Sequence, residues 1–440
     1  MSSFPTPVVI NEKLTYRSDV TSPIQAVTQL VEEVGDFVHY RTSFGKYLLV
    51  NHPSLIRDVL GNPFCVRNRL LRTVYGESVL TSNGDYWLRQ RRDLLSDFRR
   101  DRVKELVPSF LKTTEERISS WGFDDSEKQE IDVSYEMIRI AVTNVSRIFL
   151  GADLSESFLE AIDQLLREVA TLNNASGLGF ALKRTPDSQR KYREAIALIE
   201  RELTDAIKGA SEFACPHAHQ ANSCSNSPDY SKMSLDQFRS NMLALIVGGH
   251  ETTAAGLTWV LKHIASKPAV GERFYSEVDE VVGERSVRSD DLPNLVYTRK
   301  IIDETLRLYP PIWLIARAVS REVVIGGQTI PAGTGILISP FTLHRHSDFW
   351  HDPESFVPDR FSVDAKKPEP YSYIPFYAGR HHCLGKDFAI AEMLVVLVAL
   401  AQKFRFEVAK DSSEEIEALV ALRIRGLKME LSARRLGVGR

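Results

Sequence analysis

The sequence of this chain has little cysteine, no long apolar run and a small net charge. Four cysteines in 440 residues do not make a disulfide framework, so we expect a reducing, cytoplasmic setting. The longest apolar run, around Met393–Ala401, is too short to span a bilayer, and the N-terminus looks like neither a signal peptide nor a membrane anchor. A net charge of -3 gives no bulk attraction to nucleic acid or to an acidic membrane.

The hydrophobic pattern predicts a mainly α chain with a small β-rich part. Helical spacing runs through Pro23–Val34, Val133–Leu150 and Leu384–Lys403. Val38–Val50 alternates like two short strands around a turn, and so do the last residues of the chain. The segment Asn173–Pro186 begins rich in Asn, Gly and Ser, and it is predicted to be a loop.

The central segment after Ser234 predicts the element around which the helical part is built. Ser234 is a good N-cap, and the apolar run that follows reaches about Lys267 without a proline. So long and apolar a helix must pass through the core of the protein. Because the sequence shows neither an internal repeat nor a convincing linker, residues 1–440 are predicted to form a single domain.

The strongest chemical signal is the segment FYAGRHHCLG, in which Cys383 directly precedes an apolar helix. Backbone N–H groups at a helix N-terminus stabilise negative charge on a cysteine sulfur. Gly379 can adopt backbone angles closed to other residues, and Gly385 would let a flat ligand lie close. A lone cysteine in this place is most often a buried small apolar residue. The glycine spacing favours a ligand instead.

This segment resembles the haem-binding signature of cytochrome P450 proteins, Phe-x-x-Gly-x-Arg/His-x-Cys-x-Gly, and fills every fixed position. The resemblance implies the cytochrome P450 fold, in which a large helical part surrounds a long central helix beside a small β-rich part. It implies haem b as the cofactor and Cys383 as the ligand of its iron. Phe376 would shield the sulfur, while Gly385 and His381 would lie against the haem.

Two further motifs follow in the order that the resemblance requires. Glu304-Thr-Leu-Arg307, with Arg360 downstream, is similar to the buried Glu–Arg–Arg network of the family. Alone, such a helix pair is more often an exposed one, worth a few tenths of a kcal/mol. The long helix carries GGHETT, which is similar to the oxygen-binding motif. The resemblance implies that Thr252 and Glu251 are the catalytic pair that would deliver protons to dioxygen.

The haem propionates are expected to bind a set of polar side chains drawn from distant parts of the sequence. Trp87 and Arg91 stand four residues apart, hence on one helix face, and are similar to the family's Trp-x-x-x-Arg. Arg317 and His381 match further propionate-binding positions. Each of these residues taken alone is more often a surface group.

The function implied is that of a soluble, bacterial-type haem–thiolate monooxygenase, which inserts one atom of O2 into a small, mainly apolar substrate by hydroxylation or epoxidation. A peroxygenase or isomerase of the same fold, or a haem-binding sensor without turnover, remains an alternative. The Glu251–Thr252 pair argues against all three. We expect a monomer with no nucleic-acid partner.

Electrons are expected to come from a separate ferredoxin or flavodoxin with its reductase, because no nucleotide-binding segment follows the haem motif. A basic patch could dock such an acidic carrier. Its members lie after Trp87 and beside the cysteine: Arg89, Arg92, Arg99, Arg100, Arg102, Lys104, Arg380 and Lys386. One other cluster, Cys215, His217, His219 and Cys224, lacks the usual spacing of a zinc module and is predicted to be an exposed loop.

Overall fold

Helices dominate the computed structural model, which describes residues 7–13, 22–67, 71–124, 128–178, 185–212 and 233–434. The four residues of the Cys/His cluster lie outside the described residues. In chain order the α-helices are α1 (Pro23–Val34), α2 (Pro53–Gly61), α3 (Arg72–Tyr75), α4 (Gly84–Leu95), α5 (Arg100–Ser119), α6 (Val133–Leu150), α7 (Glu156–Leu178), α8 (Pro186–Glu212), α9 (Leu235–Ser266), α10 (Pro268–Val281), α11 (Val296–Leu308), α12 (Pro340–Leu343) and α13 (Lys386–Lys403).

The strands form a small β-rich part beside the helices. They are β1 (Val8–Lys13), β2 (Phe37–Thr42), β3 (Gly45–Val50), β4 (Cys65–Arg67), β5 (Gln129–Asp132), β6 (Ile315–Val319), β7 (Val323–Ile325), β8 (Gln328–Ile330), β9 (Gly335–Ile338), β10 (Phe404–Val408), β11 (Glu415–Ala418), β12 (Leu422–Arg425) and β13 (Lys428–Ala433). The largest sheet has the order β1-β2-β3-β9-β6-β4, and a second sheet has the order β10-β13-β5. Two hairpins, β7-β8 and β11-β12, complete the β structure of the described residues.

Helix α9 is the long central helix that the sequence predicts. The Ser234 hydroxyl accepts a hydrogen bond from the backbone N–H of Gln237, at 3.2 Å, and so caps the first turn. The helix runs for 32 residues and buries side chains on every face, among them Trp259 and Leu257. A helix that is apolar all round is a core element, so the helical part is built around α9.

The predicted loop at Asn173–Pro186 is partly wrong. Helix α7 continues to Leu178, and the next helix begins at Pro186. Two tertiary contacts favour the extra turn and outweigh the weak helix propensity of Asn, Ser and Gly. Leu178 is fully buried, and the hydroxyl of Tyr40 donates a 2.7 Å hydrogen bond to the carbonyl of Gly177.

A buried ion network confirms the predicted Glu–Arg–Arg motif. Both side chains of the α11 pair, Glu304 and Arg307, are fully buried, and the two form a bidentate ion pair with N–O distances of 2.7 and 2.9 Å. Arg360 adds a hydrogen bond of 3.1 Å to the same carboxylate, and the backbone N–H of Val357 adds another of 2.8 Å. The pair is therefore not the exposed pair that an isolated motif would suggest.

The network continues into the irregular chain that leads to Cys383. The remaining N–H groups of Arg307 donate to the carbonyls of His344, Pro353 and Ser355. The His344 ring, fully buried, accepts a 2.9 Å hydrogen bond from the backbone N–H of Ile374, only two residues before Phe376. One carboxylate thus organises the segment that presents the cysteine.

We expect Glu304→Gln and Arg307→Lys each to lower the free energy of unfolding by roughly 3–5 kcal/mol, because either change strands buried charges and carbonyls. Urea denaturation monitored by circular dichroism measures the loss. Arg299→Lys is the matched control, since Arg299 pairs with Asp303 on the same helix but is more than a third exposed. Equal, small losses in all three variants would contradict the importance of the buried network.

Candidate functional site

The loop between the network and α13 presents Cys383. The backbone N–H of Cys383 donates a 2.8 Å hydrogen bond to the carbonyl of Phe376, which closes the loop on itself. Gly379 has a φ of 67°, and a Cβ there would lie 2.8 Å from the carbonyl oxygen of Leu60, so only glycine fits. At Gly385, by contrast, a Cβ would make only ordinary contacts, so no steric reason for glycine comes from the protein itself.

The sulfur of Cys383 lies in a mixed electrostatic setting. Burial raises the pKa of the thiol above its usual value. The backbone N–H of Gly385 and the charges of Arg91 and Lys386 act in the opposite direction, because each favours the thiolate. Gly385 immediately precedes α13, so the expected help from a helix N-terminus is present as one hydrogen bond.

Cationic side chains surround Trp87, which lies next to the cysteine loop. The indole of Trp87 packs edge-on against the His381 ring, with 4.3 Å between ring centroids. The Arg91 guanidinium lies 5.6 Å from the Trp87 ring centre, and it donates to the carbonyl and the ring of His382. The structure therefore brings together Trp87, Arg91 and His381, as the sequence predicts.

Arg67 belongs to this cluster, and the sequence analysis missed it. Strand β4 pairs with β6 so that Arg67 stands opposite Arg317, the fourth predicted residue. The Arg67 guanidinium lies 5.5 Å from the Trp87 ring centre and donates to the carbonyls of Val79 and Ser82. No motif surrounds Arg67 in the sequence. Only the strand pairing reveals it.

The cluster carries positive charge without a balancing carboxylate among the described residues. Burial, together with the neighbouring charges of Arg317 and Arg91, lowers the pKa of Arg67 to about 9. Burial likewise lowers the pKa of Arg317. For His381, burial and the same arginines bring the pKa down to about 3. The indole N–H of Trp87 is buried and has no hydrogen-bond partner in the described chain. Such a set of donors fits an anionic ligand.

Helix α9 contributes a second group of residues to the candidate site. Gly248 is exposed although Val247 before it is buried, and a Cβ there would only touch Leu80 at 3.6 Å. A Cβ at Gly249 would lie 2.9 Å from Val145 of α6, so this second glycine is explained by close helix packing. The Thr252 hydroxyl donates a 2.7 Å hydrogen bond to the carbonyl of Gly248, four residues earlier in the helix. Open space beside the helix therefore lies at Gly248 and Thr252.

Glu251, the neighbour of Thr252, is almost fully buried on a different side of α9. Burial raises the pKa of its carboxyl to about 7, although Arg423 acts in the opposite direction. One carboxyl oxygen has no hydrogen-bond partner in the described chain. A carboxyl with such a pKa can hold and release a proton near neutral pH.

The cysteine loop and helix α9 meet in one cluster of side chains. Val79, Trp87 and Leu94 form a small core, against which Leu245 of α9 and Leu384 of the cysteine loop pack. The cysteine loop supplies a thiol, α9 a glycine and a threonine, and the surroundings of Trp87 supply cations. This set suits a flat, metal-centred cofactor with acidic groups, such as an iron porphyrin. Fold and site together define a haem–thiolate class of protein.

Comparisons with known proteins agree with this class. The family model for cytochrome P450 matches residues 2–431, and the chain belongs to the cytochrome P450 family. The chain is thus a cytochrome P450 monooxygenase.

Several named proteins are similar to this chain over most of its length. A cyclooctat-9-en-7-ol 5-monooxygenase of Streptomyces melanosporofaciens is 29% identical over 87% of this chain and 85% of its own length. Human cytochrome P450 4F3 is 30% identical over 80% of this chain and 75% of its own length. The haem domain of cytochrome P450DA superposes with a TM-score of 0.81 at 20% identity, covering 94% of both chains. None of the helices in the described residues combines the length and apolar character needed to cross a bilayer.

Proposed function

We propose that this cytochrome P450 inserts one atom of O2 into a small, mainly apolar organic substrate, by hydroxylation or epoxidation, with electrons from a separate protein. The observation that carries the proposal is the Glu251–Thr252 pair on α9, with Thr252 beside the open space at Gly248 and Glu251 buried on another side of the helix. Bound haem b supplies the activation of O2 and the oxygen transfer. The protein residues supply position, charge and protons.

Cofactor binding rests on two groups of residues. Cys383 is the proposed iron ligand, held by the loop hydrogen bond to Phe376, with Gly385 leaving room for the ring. Trp87, Arg91, Arg317 and His381, joined by Arg67, are the proposed partners of the two propionates. The uncompensated positive charge of this group supports the assignment, because a carboxylate accepts several charge-assisted hydrogen bonds. The chain contains no Cys-x-x-Cys-His segment for covalent attachment, which favours haem b.

Proton delivery is the proposed role of Thr252 and Glu251. The hydroxyl of Thr252 lies beside the open space at Gly248 and is held there by its bond to the Gly248 carbonyl. Glu251 can supply protons because its pKa is raised to about 7. A peroxygenase, an isomerase or a sensor does not need such a pair, so its presence favours the monooxygenase over these alternatives.

We also propose the class of substrate and the cellular compartment. Names such as cyclooctat-9-en-7-ol 5-monooxygenase and leukotriene-B4 omega-hydroxylase describe oxygenation of small organic molecules by similar proteins. The two cysteines in the described part of the chain, Cys65 and Cys383, are free thiols, which suits the cytoplasm. We propose a monomer.

The proposed electron donor is a small acidic ferredoxin or flavodoxin that docks on the side of the cysteine loop. Arg89 and Arg92 are exposed on α4, which is joined to that loop by the Arg91–His382 hydrogen bonds. Three other members of the predicted basic patch are already paired with acids: Arg99 with Asp101, Arg100 with Asp387 and Arg102 with Glu105. The patch is therefore centred on α4, between the exposed apolar side chains Leu88 and Leu95.

The assignment of Cys383 predicts a spectroscopic result. We expect reduced wild-type protein to give the red-shifted Soret band of a thiolate-ligated haem with carbon monoxide, and Cys383→Ser to lose it. Cys65→Ser is the control, because Cys65 is also a free thiol but is buried in β4. Retention of the band in Cys383→Ser, or its loss in Cys65→Ser alone, would contradict the assignment.

The proton-delivery role predicts wasteful turnover. We expect Thr252→Ala to bind haem and substrate normally but to turn reducing equivalents into hydrogen peroxide, with product per electron pair falling at least about tenfold. Thr258→Ala is the control, since Thr258 makes the same hydrogen bond to a carbonyl four residues earlier, that of Ala254. Equal coupling in both variants would leave Thr252 a packing residue.

The docking surface predicts a salt-dependent rate of the first electron transfer. We expect Arg89→Glu/Arg92→Glu to slow reduction by an acidic ferredoxin several-fold at low salt and to flatten the salt dependence. Arg41→Glu/Lys46→Glu makes the same charge change on the β2–β3 pair and should leave the rate nearly unchanged. Similar rates for the two double variants would place docking elsewhere.

A further inference from the structure

A ring of ion pairs lies beside the buried carboxyl of Glu251. Two members come from α7, Asp163 and Arg167, and two from the β11–β12 hairpin, Glu417 and Arg423. Arg423 contacts Asp163 at 2.6 Å and Glu417 at 2.9 Å. Arg167 contacts the same two carboxylates at 2.8 and 3.1 Å, so the ring closes. Each charge therefore has two partners of opposite sign within the ring, and Glu417 has a third outside it, Arg425 at 3.5 Å.

Arg423 is held in place by the hairpin as well as by the ring. The end of β11 and the start of β12 are tied to the core by Trp313, which donates to the carbonyl of Leu419, and by Trp259, which donates to that of Leu422. The backbone N–H of Leu422 donates a 2.8 Å hydrogen bond to the carbonyl of Pro311. The strand that carries Arg423 thus has little freedom to shift.

Glu251 lies just out of reach of this cation. Its Oε1 is 3.9 Å from Nη1 of Arg423, too far for a hydrogen bond, and it has no other partner among the described residues. The backbone N–H of Ala421 makes the one hydrogen bond to the carboxyl that acts on its pKa. Glu251 is only 3% exposed. A full ion pair with Arg423 is available nearby but is not formed, because Asp163 and Glu417 engage the guanidinium.

We propose that Arg423 is a positioning residue for proton delivery, and that its competing partners Asp163 and Glu417 hold its guanidinium out of hydrogen-bond reach of Glu251, so that this carboxyl can carry a proton. This inference rests on the proposed function of Glu251 and adds what controls it. Because Asp163 lies on α7, the position of this helix also governs the proton supply. A shift of α7 that released Arg423 would let it pair with Glu251 and hold the carboxyl ionised.

The charged and titratable groups around Glu251 act on its pKa in two directions. Burial and Asp163 raise the pKa, while Arg423 and Arg167 lower it. The phenol of Tyr75, on α3, also interacts with the carboxyl, and Glu417 acts through Arg423. Removing the cation of Arg423 must therefore raise the pKa of Glu251. Removing the charge of Asp163 must lower it, both directly and by freeing Arg423.

Infrared spectroscopy of the haem-loaded ferric protein tests this without turnover. The C=O stretch of the protonated Glu251 carboxyl is identified as the band that disappears in Glu251→Gln, and it is titrated between pH 5 and 9. We expect the midpoint near pH 7 in the parent. It should rise by about one unit or more in Arg423→Gln and fall by a similar amount in Asp163→Asn. Glu417→Gln should also lower it.

Asp153→Asn is the matched control, because Asp153 pairs at 2.6 Å with Arg147, whose other acidic partner is Glu116 and not a member of the ring. It should leave the midpoint unchanged. Shifts of the same sign in Arg423→Gln and Asp163→Asn, no shift in either, or no titrating band in the parent would each overturn the proposal. If Arg423→Gln does not load haem, Asp163→Asn and Glu417→Gln still decide it. Since no product is formed, the result stands apart from the test of monooxygenase activity.

Discussion

The carboxylate of Glu304 is the group on which the architecture of the site depends. An ionised carboxylate buried without partners would cost several kcal/mol, and two guanidiniums and a backbone N–H remove that cost here. The same guanidinium of Arg307 collects carbonyls from His344, Pro353 and Ser355, which belong to irregular chain without its own hydrogen-bond ladder. His344 in turn fixes the backbone of Ile374, and with it the start of the cysteine loop, through a hydrogen bond.

The cation cluster around Trp87 differs from the Glu304 network, because its charge is not compensated. Here folding collects positive charge from α4, β4, β6 and the cysteine loop and leaves it without a carboxylate partner in the described chain. Such a cluster destabilises the protein by itself. An anionic cofactor that binds only the folded state relieves the repulsion and stabilises that state by mass action. Charge compensation is complete at Glu304, where the role is structural, and incomplete at Trp87, where a ligand is expected.

Helix α9 separates the two neighbouring side chains to which we assign proton delivery. Successive residues of an α-helix point about 100° apart, so Thr252 and Glu251 cannot face the same space. Thr252 is half-buried beside the open space at Gly248, whereas Glu251 is buried beside Arg423 and the ring of ion pairs. The helix thus connects the cofactor side of the protein with a charged network on α7 and the β11–β12 hairpin.

The sequence by itself determined the helices and turns, and those motifs whose interacting residues lie within a few positions of one another. The cap at Ser234, the helix from Glu304 to Arg307, the turn at Gly379 and the back-bond of Thr252 were all predictable, because each depends on the spacing of residues along one element. Only the tertiary structure decided the partners that are distant in sequence. Arg67 joins the cation cluster through the pairing of β4 with β6, and Arg423 approaches Glu251 because buried tryptophans hold its hairpin. The same reason explains the wrong loop at Asn173, since the burial of Leu178 outweighs local propensity.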